Sequence, residues 1–426
     1  MITTIKYPLK EDWQEIVKRP VAETVSLEKT ITKILDKVKS KGDKAIRKYT
    51  KAFDGVKLKK TEVSQKEIAT AEKLLSQELK DAIRQAKANI EKFHIAQIEE
   101  VKIIETMPGI KCWRKSVGIE KVGIYIPGGS APLFSTVLML AIPASIAGCI
   151  EIVLCTPPSK NGSVHPAILY AASLCGVTKI FKAGGVQAIA AMAYGTESIP
   201  KVFKIFGPGN QYITCAKQSI QKDGVAIDMP AGPSEVLIIA DETCVSEFIA
   251  ADLLSQAEHG ADSQVILLTT SEAVAEKTQD CIKTQLNELP RKEIAEKALT
   301  NSKIVLLNSI DEAIELSNLY APEHLILSCH NAEEASFKII SAGSIFIGNY
   351  SPESAGDYAS GTNHTLPTNG YAAMYSGVSV DSFVKKITYQ QLSKEGLENI
   401  GNTVMQMAAA EGLDAHKNAV AVRLKK

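Results

Sequence analysis

From residue 117 onward the chain alternates short apolar, β-branched runs with helical stretches. This rhythm constrains its fold more than any other feature. The first runs are Val122–Ile126, Glu151–Cys155, Lys179–Phe181, Val202–Phe206 and Val236–Ala240, and helical patterns such as Ser135–Ala147, Pro166–Leu174 and Val186–Ala193 lie between them. Strand–helix alternation of this kind builds a parallel sheet with helices on its faces. A second series follows at Gln264–Thr269, Lys303–Leu307, His324–Leu327 and Ser344–Ile347. The expected fold class is therefore α/β, with two Rossmann-like, incomplete domains built on parallel sheets. Upstream, residues 26–53 and 64–97 space Leu, Ile, Ala and Val at helical intervals among Lys and Glu, as amphipathic helices do. The residues from about Val384 read as helical and without strands, so small helical extensions are expected at both termini. The resulting organisation is an N-terminal arm (1–25), a first α/β domain drawn from 26–122 and 235–380, a second Rossmann-like domain (123–234) and a C-terminal tail (381–426).

Composition narrows the function classes. At 426 residues, 45% hydrophobic and 23% charged, the chain has the make-up of a globular protein of about two or three domains. Lys+Arg and Asp+Glu balance at 48 each, so no global field recruits nucleic acid or an anionic membrane. Residues 1–60 are locally basic, with 16 Lys/Arg against 8 Asp/Glu, but the two signs interleave as on a solvated helical face. No run reaches the roughly 18 apolar residues of a membrane-spanning helix. The N-terminus has no signal-peptide pattern, and the expectation is a cytoplasmic protein. The eight cysteines are scattered without a C-x-x-C pair, which argues for reduced thiols over a disulfide framework or a cysteine-rich zinc site.

Three strand ends run through glycine into a helix: Tyr125-Ile-Pro-Gly-Gly-Ser130, Ala183-Gly-Gly-Val-Gln187 and Gly207-Pro-Gly-Asn210. Each is equally what a tight strand-to-helix turn needs. Glycine also lets backbone approach a ligand, and helix N-termini offer free N–H groups to phosphate. Three such loops on one sheet would open together at its carboxyl edge, where open α/β sheets bind ligands. A nucleotide is supported. The dinucleotide fingerprint is absent, because its third glycine position is Tyr212.

The polar chemistry is concentrated in a few segments. His259 closes a helical stretch, with Gln256 three residues earlier on the same face and Gly260 placed as a C-cap. Gln256 and His259 can share a metal, or His259 can simply answer the helix dipole. Glu323-His324 follows Pro322, which restrains Ala321 and bends the entry to the strand. An acid beside an imidazole suits general acid–base work, though an exposed charged pair would read the same way. The long polar segment Ser354–Thr368 offers Asp357 and His364. His416 lies in a terminal helical segment, while His94, His165 and His330 have no supporting neighbours. Neither H-E-x-x-H nor G-x-S-x-G occurs, against a zincin-type protease and an α/β-hydrolase.

Taken together, these segments resemble the histidinol dehydrogenase family along nearly the whole chain. The resemblance is carried by Gly123–Leu140, Gly207–Asn210, Ala231–Val236, Leu254–Gly260, Ala321–Leu325 and Gly356–Pro367, in that order and with no departure from the family motifs. It implies oxidation of L-histidinol to L-histidine in two steps, with two NAD and one zinc ion per site. It further implies zinc ligands at Gln256, His259, Asp357 and His416, and a catalytic pair at Glu323 and His324. Implied substrate contacts are Ser234, His364 and Glu411, together with Gln256, His259, His324, Asp357 and His416. Implied NAD contacts are Tyr125, Gln187 and Asn210. In the family the C-terminal histidine comes from the partner in a homodimer, which would give the tail a dimerisation role.

The residue types agree with that chemistry. Hydride transfer from an alcohol needs a base, and an imidazole titrating near about 6.5 suits it. Oxidising the aldehyde onward needs water added, which Glu323 can activate. Two rivals remain at this level. One is a zinc-dependent hydrolase with Glu323 as general base and the glycine loops as plain turns. The other is a non-enzymatic protein that binds nucleic acid through its basic N-terminal helices.

Overall fold

The structure, a computed structural model, describes residues 2–20, 25–128, 131–230 and 232–425. Its strands, in chain order, are β1 (Thr3–Lys6), β2 (Ile104–Met107), β3 (Ile110–Gly118), β4 (Lys121–Tyr125), β5 (Glu151–Thr156), β6 (Lys179–Lys182), β7 (Lys204–Phe206), β8 (Ala226–Ile227), β9 (Glu235–Ala240), β10 (Gln264–Thr269), β11 (Lys303–Leu306), β12 (His324–Ser328), β13 (Ser344–Ile347) and β14 (Val384–Leu392). They form a five-stranded parallel sheet ordered β6-β5-β4-β7-β8 and a six-stranded parallel sheet ordered β1-β11-β10-β9-β12-β13. Both follow from the apolar runs. Every residue of β9 and β10 is buried, as expected of strands covered by helices on both faces. Order in the five-stranded sheet reverses between β4 and β7, which makes that gap a topological switch point.

Four features depart from the sequence reading. First, the C-terminal piece is not strand-free: β14 pairs antiparallel with β3 over nine residues and β2 adds a third strand. Both faces of this small sheet carry exposed residues, so β14 has no apolar run to betray it. Cross-strand partners Trp113 and Tyr389 stack at 5.3 Å, a pairing characteristic of sheets. Second, the N-terminal arm is not merely helical, since β1 extends the edge of the six-stranded sheet alongside β11.

Third, the stretch 64–97 is two helices, Gln65–Lys73 and Gln77–Ile95. Ser64 and Glu67 form a capping box at the first, and the Ser76 hydroxyl caps the second. Fourth, the helices of residues 25–95 cover the five-stranded sheet, and of 235–380 they touch chiefly the 359–363 loop, through Asn89 and His94. Val25–Tyr49 lies against Gly185–Tyr194, and Gln77–Ile95 against Phe134–Ile146. The apolar stripes Leu27, Ile31, Leu35 and Val38, and Ile83, Ala86 and Ile90, make that contact. Residues 21–24 of the expected arm lie outside the described residues. Among the described residues no helix is long and apolar enough to cross a membrane.

Candidate active site

The five-stranded sheet presents backbone donors at its carboxyl edge. The helices Phe134–Ile146, Gly185–Tyr194 and Gln211–Gln221 all begin there. Tyr125, at the end of β4, is buried and accepts a hydrogen bond at its hydroxyl from the Gly185 N–H (3.1 Å). Gln187 is buried, lies over Gly185 and leaves its Oε1 without a partner. Asn210 is exposed and caps the Gln211–Gln221 helix through its side-chain oxygen. Gly207 sits at φ 130°, where an added Cβ would fall 2.1 Å from the Tyr125 carbonyl oxygen, so this close approach requires glycine. Beneath it, the buried Lys217–Asp228 pair holds both ends of the Gly207 residue. The ammonium donates to the carbonyl (2.9 Å), and the carboxylate accepts from the N–H (2.8 Å). The expected loop residues Gly129 and Ser130, and Ala231 of the later motif, lie outside the described residues.

The six-stranded sheet uses its opposite edge. Glu235 and His324 open β9 and β12, with Ser234 and Glu323 just before them. The helices Ser246–Ala257 and Ile310–Tyr320 end at this amino edge. Gln256, near the end of the first, donates from Nε2 to the Glu235 carbonyl (3.2 Å) and lies 2.8 Å from His324 Nδ1. The helix stops at Ala257 with Glu258 as its C-cap in a right-handed conformation. Gly260 is therefore not the left-handed cap its position promised. His259 follows, its N–H bonded to the Gln256 carbonyl. Ala321 is left-handed (φ 51°, ψ 66°), despite preceding Pro322, which ordinarily steers the residue before it toward extended backbone. An L-residue held there stores of order 1–3 kcal/mol, and that turn delivers Glu323 and His324 into the cleft.

Burial and charge set the acid–base character. Burial pushes the Glu323 carboxyl up to about 8, and its Oε2 accepts from the Glu235 N–H at 2.9 Å. Burial alone would lower His324, but Glu323, Asp357 and Glu353 outweigh it and raise the imidazole to about 10. His324 Nε2 faces Asp357 Oδ1 at 3.4 Å, too poorly aligned for a hydrogen bond. Burial also opposes ionisation of Asp357, yet His324, His364 and His259 hold it below the usual carboxylate range. His364 donates from Nδ1 to the Asp357 carbonyl (2.8 Å), which leaves Nε2 to accept from the Thr136 hydroxyl (2.9 Å). That contact joins the start of the Phe134–Ile146 helix to the polar loop, so the carboxyl edge of one sheet meets the amino edge of the other.

The cluster also fits a cation. His259, Glu353 and Asp357 bring one ligand atom each to within 4.8 Å of one another. Gln256 Oε1, Glu353 Oε2 and Asp357 Oδ1 are buried without hydrogen-bond partners. Leaving such atoms unpaired costs about 1–3 kcal/mol each, and a divalent cation with nitrogen and oxygen ligands would satisfy them. Glu353 was not singled out from sequence. Its burial pushes it up to about 8. The available signal was its i, i+4 spacing to Asp357 on one helical turn of Glu353–Tyr358. Glu411 and His416 are not brought in: both are exposed, and neither makes a hydrogen bond or ion pair with the cluster within one chain. His94, left without a role, is fully buried beside Asn363, which itself bonds the Met139 carbonyl (2.6 Å).

A glycine-lined edge of helix N-termini set against a cluster of largely buried acids and imidazoles, with His259 at its exposed side, defines a two-sheet α/β enzyme cleft. Comparison with known proteins makes this specific. A family model described as histidinol dehydrogenase matches residues 17–424. The histidinol dehydrogenase of Bacteroides thetaiotaomicron is 62% identical over 424 residues, covering 100% of this chain and 99% of that protein. That of Escherichia coli is 52% identical over 417 residues, covering 97% and 95%. The crystal structure of histidinol dehydrogenase from Elizabethkingia anophelis matches with a TM-score of 0.98 at 58% identity, covering 100% of this chain and 98% of that one. The chain belongs to the histidinol dehydrogenase family, and is with it an oxidoreductase.

Proposed function

We propose that the enzyme oxidises L-histidinol to L-histidine through L-histidinaldehyde, the closing steps of histidine biosynthesis, as a cytoplasmic homodimer with one zinc ion and two NAD used per turnover at each site. The observation that carries this reading is the convergence of Gln256, His259, Glu323, His324 and Asp357 at one edge, within reach of the glycine-lined edge through His364 and Thr136. Gln256, His259 and Asp357 would hold the zinc, with His416 contributed by a second copy of the chain. Exposure of Glu411 and His416 in one chain supports their serving a neighbour. Tyr125, Gln187 and Asn210 would line the NAD cradle. When bound, zinc anchors the imidazole and amine of the substrate, and NAD accepts hydride.

The chain's own residues handle position and protons. His324 accepts the hydroxyl proton in the first oxidation and assists again in the second. It can work as a base near neutrality only when the charge on Glu323, Asp357 and Glu353 is offset, since those carboxylates are what raise it. Glu323 activates the water that adds to the aldehyde, and a carboxyl pushed to about 8 is a stronger base than an ordinary one. Ser234, His364 and Glu411 complete the substrate contacts. The test is a steady-state assay with histidinol and NAD, with and without a chelator. Reduced nicotinamide should appear, disappear on chelation and return with added zinc. Turnover without nicotinamide would favour the zinc-hydrolase alternative.

A further inference from the structure

Arg19 belongs to the N-terminal arm, far in sequence from every residue above, yet it lies behind the acid–imidazole pair. Its guanidinium grips the Glu235 carboxylate with both prongs, Nε to Oε1 at 2.5 Å and Nη2 to Oε2 at 2.9 Å. The same Nη2 donates to the Tyr320 carbonyl at 2.7 Å, and the guanidinium stacks 3.9 Å from the centre of the Tyr320 ring. Tyr320 is fully buried and anchored through its hydroxyl to Gln264 (2.9 Å). Each gripped residue adjoins the catalytic pair. The Glu235 N–H holds Glu323 Oε2, and the Glu235 carbonyl faces both His324 Nδ1 (3.1 Å) and Gln256 Nε2. Tyr320 immediately precedes the left-handed Ala321 that turns the chain into Glu323 and His324. The Glu235 carboxylate also accepts from the Asn369 N–H (2.9 Å), which ties in the far end of the polar loop.

We propose that Arg19 is a positioning residue for catalysis: by clamping Glu235 and the Tyr320 carbonyl, it fixes the backbone groups that aim Glu323 and His324. The planar two-pronged fork is essential to this, and lysine cannot reproduce it. This inference rests on the proposed roles of Glu323 and His324. The Arg19 side chain is 17% exposed, so shortening it opens its own site to a small cation from solvent.

The experiment uses the full-length, zinc-loaded enzyme. Arg19→Ala should lower kcat about 100-fold while KM for NAD stays within twofold, since the cradle lies on the other sheet. Added guanidinium should restore at least a tenth of the lost rate, and tetramethylammonium should not. Arg19→Lys should recover less than a tenth. Because Arg19→Ala strands a buried carboxylate, the pair Arg19→Met with Glu235→Gln supplies the folded control. It should regain the wild-type thermal midpoint and zinc content yet keep at least a tenfold loss in kcat and an altered pH profile. Recovery of kcat and pH profile together with stability in that pair overturns the proposal, as does wild-type kcat in Arg19→Ala or failure of guanidinium to rescue it. If Glu323→Gln and His324→Asn leave histidinol oxidation intact, the catalytic reading itself fails and this inference falls with it. If those variants are crippled while Arg19→Ala is not, the positioning role alone is wrong.

Discussion

The two parallel sheets are built alike and used from opposite ends. The five-stranded sheet works from its carboxyl edge, where three helices begin and helix starts leave backbone N–H groups without intrahelical partners. The six-stranded sheet works from its amino edge, where two helices end beside Gln256, His259, Glu323 and His324. Helix starts favour anions and helix ends favour cations, each by about 0.3–1 kcal/mol. One scaffold therefore offers a site suited to phosphates and a site suited to a metal or an ammonium group, according to the edge it turns inward. The first is made mostly of backbone and tolerates neutral surroundings. The second is made of titratable side chains, buried at Glu323, His324 and Glu353, and its properties depend on protons.

That contrast can be broken in graded ways. The largest effect belongs to His324→Asn, which should slow both oxidations about 1000-fold, within the range for a lost acid–base group. Single-turnover rates with the alcohol and with the aldehyde check this, and an undiminished first step removes His324 as the base. Next, Glu323→Gln should cut aldehyde oxidation about 100-fold and alcohol oxidation far less, because only the former needs activated water. Equal losses would refute that division of labour.

On the other edge, Gly209→Val places a Cβ 2.5 Å from the Ile213 side chain. It should raise KM for NAD about tenfold while leaving kcat within twofold. A fall in kcat alone would mean the glycine edge is not a binding edge. His416→Asn should lower zinc content per chain. Unchanged metal by atomic absorption would exclude His416 as a ligand.

The smallest effect is a pH signature confined to the acid-rich edge. Burial pushes Asp252, four residues before Gln256, up to about 7. A carboxyl raised in the native state stabilises fully below its unfolded value near 3.9, and that contribution is lost as pH rises through 7. Asp252→Asn should therefore raise the unfolding midpoint of the metal-free protein at pH 8 by about 1–2 °C and leave it unchanged at pH 4. Equal shifts at both values would mean Asp252 does not titrate there.

How much of this was legible depends on where the information lies. β9 and β10 are buried on both faces, so their apolar runs reveal them directly. β14 and β1 carry no such run: β14 is known only through β3, and β1 only through β11. The acid–imidazole pair stands out because Glu323 and His324 are adjacent, and Gln256 and His259 because they lie three residues apart at a helix end. Grouping 25–95 with the wrong sheet followed from amphipathicity, which fixes a helix's buried face but not its partner. Glu235, Arg19 and Thr136 escaped notice because their significance is a meeting in space. Arg19 and Glu235 are 216 residues apart, and Thr136 and His364 are 228 apart.

Both oxidations are predicted to be completed in one cleft where the two edges meet. The direct measurement is the amount of reduced nicotinamide formed per histidinol consumed, with the aldehyde assayed in parallel. Two equivalents with no free histidinaldehyde are predicted. One equivalent with aldehyde accumulating, or histidinol consumed with none reduced, would contradict it.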